Sequence, residues 1–144
     1  MDVADLRKRI LRALDEARRE AATRRQAADL AAVAYEAFLS QVAVPLMQQA
    51  AQVLRADGHG FAVHTPASTV RLVSDASAST FIELTLDTSG AQSEVLGRVS
   101  LTRGRHGQVV AERPLASGEP IAELTEDDVS AFLIAEIPKL LVRS

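Results

Sequence analysis

The chain predicts an α+β fold: a long N-terminal helix, an antiparallel β-meander of four to five strands and a C-terminal helix packed on the sheet. Three observations carry that expectation. The first 44 residues contain neither Gly nor Pro and are rich in Ala, Leu, Arg and Glu. From Phe61 to Pro114 the apolar period changes from helical to two, and after Thr125 a helical stripe returns.

A helix from Asp2 to Val44 would run about 60 Å at 1.5 Å per residue. A compact remainder of this size has a radius of gyration near 12 to 13 Å, so part of the helix needs another partner. A second copy of the chain is the simplest one, and it suggests a homodimer or higher homo-oligomer. Val3, Leu6, Ile10, Ala13 and Ala17 follow alternating spacings of three and four, and Ala28, Ala31, Tyr35, Phe38 and Val42 resume that rhythm. The expected oligomer seam is therefore Leu6, Ile10, Leu14, Ala17, Ala28, Ala31, Tyr35 and Phe38. The polar stretch from Arg18 to Gln26 separates two segments read as out of step, which marks a change of supercoil or a bend. A helical hairpin near Thr23 would need turn residues that are not there.

Pro45 has no amide hydrogen and disfavours helical geometry at Val44, so a kink or restart is expected there. Leu46, Met47, Ala50, Val53 and Leu54 are again helical, and Asp57-Gly58-His59-Gly60 supplies a stop. Residues 1–57 thus read as a packing and oligomerisation segment, and residues 58–144 as sheet plus closing helix, together one structural domain.

The strands are expected at Phe61 to Thr65, Val70 to Ser74, Thr80 to Asp87, Val95 to Arg103 and Gln108 to Pro114. In the third, Ile82, Leu84 and Leu86 share one face, and Phe81, Glu83, Thr85 and Asp87 the other. One buried and one largely wet side follow. Thr125 is placed to cap a helix whose first turn holds Glu126, Asp127 and Asp128. Val129, Phe132, Leu133, Ile137, Leu140 and Leu141 form its apolar stripe, with a kink expected at Pro138.

The 144 residues carry 47% hydrophobic and 24% charged side chains, as an ordinary globular protein does. The absence of cysteine removes disulfides, thiolate catalysis and thiolate metal sites. No apolar run of about 18 to 20 residues stands out, so no membrane span is expected and a cytoplasmic location is. Net charge is −3, divided as nine Lys/Arg against eight Asp/Glu in residues 1–57 and seven against eleven in residues 58–144. Neither half has the basic footprint of a nucleic-acid binder. The cations of the first helix are interleaved with acids at i, i+4 distance, as in Asp5/Arg9 and Asp15/Arg19.

Turns centred near Ser77 and Gly90-Ala91 would set Arg71 opposite Glu83 and Glu83 opposite Arg98, a charge ladder extended by Glu112 or Arg113. Arg71, Glu83, Arg98 and Arg113 are the candidate ligand or partner face. His59, His64 and His106 read as surface histidines rather than a metal site. Arg103-Gly104-Arg105-His106-Gly107 reads as a hairpin turn rather than a phosphate cradle. No base is forced beside a nucleophile, so no enzyme and no cofactor is expected. The expected role is a non-enzymatic, homo-oligomeric adaptor or scaffold engaging another protein. The alternative is a small-molecule or anion-binding domain using the sheet face or a pocket between helix and sheet.

Overall fold

The computed structural model describes residues 2–102 and 107–141; residues 103–106, where the sequence suggests a hairpin turn, lie outside them. The fold is α+β. Helix α1 runs without a break from Val3 to Phe38, capped by the Asp2 carboxylate, which accepts from the Ala4 amide at 3.4 Å. Neither a bend nor a hairpin interrupts it at Arg18 to Gln26. The pairs Asp5/Arg9 and Asp15/Arg19 form on its solvent side at 3.3 and 2.9 Å.

Before Pro45 the chain widens into a π-helical turn over Leu39–Ala43, closed by the Val44 amide donating to the Leu39 carbonyl, and the α-helix restarts at Val44 with the proline in its first turn. The proline ring would collide with the carbonyl four residues earlier in a regular helix. One extra residue in the preceding turn relieves that collision. Helix α2 then continues over Val44–Ala56.

Five strands follow: β1 (Phe61–His64), β2 (Val70–Ser74), β3 (Phe81–Asp87), β4 (Glu94–Thr102) and β5 (Gln108–Pro114). They pair as an antiparallel meander in chain order β1-β2-β3-β4-β5. A 3₁₀ turn at Ile121–Glu123 leads to α3, Glu126–Leu141, which passes through Pro138 near its end. Thr125 begins α3 by donating both its amide, at 2.8 Å, and its hydroxyl, at 3.2 Å, to the Asp128 carboxylate. Three acids in that first turn also complement the helix dipole.

Helices α2 and α3 and the end of α1 cover one face of the sheet. Val70, Leu72, Ile82 and Leu84 are fully buried there, against Tyr35, Met47, Val129 and Phe132. Gly97 is needed where α3 comes closest: a Cβ on it would stand 2.2 Å from the Phe132 ring. Tyr35 donates its hydroxyl to the Leu84 carbonyl at 3.1 Å, tying α1 to β3. Its phenol is held well above the usual tyrosine range, first by burial and then by the negative charge of Glu83.

Two expectations about faces change. Tyr35 and Phe38, placed on an oligomer seam from spacing alone, are 2% and 5% exposed and belong to the chain's own core. The outer sheet face is not simply wet: Phe81 and Glu83 are buried on it, covered by long arginine side chains. The helical stretch Val3–Ala56 also meets the length and composition of a membrane span, with 28% of its apolar window buried in the body.

Candidate functional site

Two features are set by α1. Its first 19 described residues, Asp2 to Glu20, are all exposed, so about 28 Å of helix stands clear of the body. Val3, Leu6, Ile10, Leu11 and Leu14 are exposed there by 45% or more. Counting on in steps of three and four through Ala17, Ala21 and Arg24 reaches Ala28, Ala31 and Tyr35, so exposed stripe and core stripe lie on one side of the helix. Ala21, Ala28 and Ala31 are half-buried, the zone of transition.

At that transition a groove of about 700 Å³ opens between α1, the turn joining β3 to β4 and the segment before α3. Ala21, Ala28 and Ala31 form one wall, Ser89 to Ser93 another, and Ile121 the end, with Arg24 and Arg25 also lining it. The turn is braced by Asp87, whose carboxylate accepts from the Ser89 amide at 3.0 Å and hydroxyl at 2.6 Å. Those hydrogen bonds pull the Asp87 carboxyl below its ordinary range.

The third feature is the ladder on the outer sheet face. Arg71 lies opposite Glu83, Glu83 opposite Arg98, and Arg98 opposite Glu112. Arg71 donates its Nε to Glu83 at 2.6 Å, and its guanidinium lies 4.1 Å from the Phe81 ring centre. Arg98 reaches the other Glu83 oxygen at 3.6 Å and Glu112 at 3.3 Å. The Arg98 Nε is buried without a hydrogen bond, so its contact with Glu112 is an ion pair by distance only.

Arg113 is not part of this face. It pairs with Gly97 in register and projects to the helix side, where it meets Glu136 at 3.2 Å and covers the Phe132 ring at 4.5 Å. The physical reason is the strand period: Glu112 takes the ladder position, so its neighbour must point the other way. With Glu83 held between Arg71 and Arg98, and Glu112 beside Arg98, the face is close to neutral and its cations are already partnered.

No family model, curated protein or solved structure matches the chain. Among the described residues no group of three His, Cys, Asp or Glu side chains lies together as a metal site would require. His59 sits 3.6 Å from Asp57 in the turn after α2, and His64 is exposed at the end of β1. A pocket between helix and sheet was an alternative the sequence left open, but the residues that line this groove were not anticipated. Its walls come from segments some 60 residues apart, and neither the alanines nor the Ser/Gly turn carries a periodic signal that joins them.

Proposed function

We propose that the protein is a homo-oligomeric adaptor, in which the projecting part of α1 assembles copies of the chain and the body presents its sheet to another protein. The observation that carries this reading is the aliphatic stripe on helix that stands clear of the body. Leu6, Ile10 and Leu14 are each about half exposed, so covering them in a helix pair contributes about 1 kcal/mol apiece. An isolated helix gains little by carrying such a stripe in water, whereas a paired one gains its stability from it.

The test is the solution mass by light scattering of the full chain and of the variant Ile10→Asp/Leu14→Asp. Both positions lie outside the body, so circular dichroism and melting of the body are expected to persist while the mass falls to that of a monomer. Phe38 is left untouched because it supports the core. A wild-type monomer, or an unchanged mass in the variant, defeats the reading.

A second reading, a small-molecule site, is favoured by the groove with Arg24 and Arg25. It expects the melting temperature to rise with small carboxylates and the rise to vanish in Arg24→Ala/Arg25→Ala. No shift with the wild-type chain rules it out.

A further inference from the structure

We propose that two copies pair antiparallel through α1, overlapping from Val3 to Arg24, with the amino end of each helix seated at the mouth of the other's groove. This rests on the assembly reading above and gives it an orientation and a register.

The spacing of the stripe Val3, Leu6, Ile10, Ala17, Ala21, Arg24 is the same in both directions about a midpoint between Ala13 and Leu14. When the second helix is reversed about that midpoint, Leu6 meets the partner's Ala21 and Ile10 meets the partner's Ala17. Leu14 then meets the partner's Ala13. Leu6, Ile10 and Leu14 thus each face an alanine, which keeps the two axes evenly spaced along the middle of the overlap. A parallel pair in register does the opposite. Leucine and isoleucine pack against themselves at one end, but alanine faces alanine at the other, and Arg24 is driven against its own copy.

Three further observations support the reversed pairing. Leu11, exposed by 53% and off the main stripe, comes beside the partner's Leu14, so the largest exposed side chains of the overhang are all covered. Arg9 falls between the partner's Glu16 and Glu20, neither of which has an ion pair among the described residues. Opposed helix dipoles also attract, and like-directed ones repel.

The overlap ends beside the groove. Exposure is complete from Asp2 to Glu20; Ala21 is the first half-buried residue, Ala22 to Ala27 are exposed again, and the β3–β4 turn lines one groove with Ala21 and Arg24. An arriving helix that reaches Arg24 comes to the mouth of that groove. Its Asp2 and Val3 come to rest over Arg24 and Arg25, which places an acidic residue against the groove's two cations. The overlap of about 33 Å takes in the roughly 28 Å of helix that stands clear of the body and about one further turn beside the groove.

Because the chain has no cysteine, single cysteines report the arrangement directly. A disulfide needs Cα atoms within about 7 Å. Ile10→Cys and Ala17→Cys, each expressed alone, are expected to stay unlinked on oxidation, since like positions lie about 10 Å apart along the axis at 1.5 Å per residue. Co-expressed, the two variants are expected to form a covalent dimer. Self-linking of Ile10→Cys alone would overturn the orientation while leaving assembly intact. A dimeric mass with no link in the mixture would overturn the register. A monomeric mass would instead defeat the assembly reading on which the proposal rests.

Discussion

Gly97→Ala tests whether α3 is seated on the sheet as tightly as the geometry states. The added Cβ would lie 2.2, 2.4 and 2.9 Å from three carbons of the Phe132 ring, where real contacts begin near 3.4 Å. Phe132 is 2% exposed and carries Arg113 over its ring, so it has nowhere to swing. Overpacking of this kind costs about 1 to 3 kcal/mol. The backbone term has the opposite sign, because replacing glycine within a strand stabilises by about 0.4 to 1 kcal/mol through the unfolded state. The net expectation is a loss of about 1 to 2 kcal/mol in urea unfolding, with an unchanged slope. Gly60→Ala supplies the control. Its Cβ would meet the Asp75 carboxylate oxygen at 2.5 Å, but Asp75 is an exposed side chain that can turn aside, so little change is expected. Coupled with Phe132→Leu, Gly97→Ala is expected to recover part of its loss, with an interaction term of about 0.5 kcal/mol or more. Additive effects, or a neutral Gly97→Ala, would refute the close approach of α3 to β4.

Tyr35 is the only tyrosine and the chain has no tryptophan, so near-ultraviolet absorbance reads its phenol alone. Its folded pKa lies above the unfolded value near 10, so the stability it contributes is full below about pH 10 and is lost as pH rises further. Phenolate absorbance is expected to appear only together with loss of the far-ultraviolet circular dichroism; ionisation at pH 10 in a folded chain would contradict the burial. Asp128→Ala removes the acceptor of both Thr125 donors and is expected to cost about 1 kcal/mol in denaturant unfolding. Glu83→Gln leaves Arg71 and Arg98 facing each other without a carboxylate between them. A loss of about 1.5 to 3 kcal/mol is expected, the scale of hydrogen bonds to charged groups, and a neutral outcome would mean that water already screens the pair.

Much of the sheet was legible because its rules are local. A period of two together with short turns fixes register by counting. Arg71, Glu83 and Arg98 fall opposite one another as that count requires. The count runs out at the next turn, whose length alone leaves either Glu112 or Arg113 on the outer face. One residue of ambiguity there reverses a side chain from ladder to core, and Arg113 is that residue. The burial of Phe81 was hidden for a different reason. Alternation names its face correctly, but the cover comes from the stem and head of Arg71, a cross-strand contact no periodicity encodes.

Helix α1 shows a deeper limit. A stripe with spacings of three and four states only that something apolar lies along it, and the same stripe meets different surroundings at its two ends. At Tyr35 and Phe38 the surroundings are the chain's own sheet, which follows the turn at Asp57–Gly58 after α2 and packs back against the helices. At Leu6 and Ile10 there is only solvent. The side chains differ in a way that the spacing hides. Aromatic rings stand where the body supplies a deep pocket, alanines where the helix passes the groove, and branched aliphatics where the helix is free. That ordering, large then small along the free half, is what makes the stripe complementary to its own reversal. Residue size, rather than period, therefore distinguishes the part of α1 that builds the fold from the part left exposed.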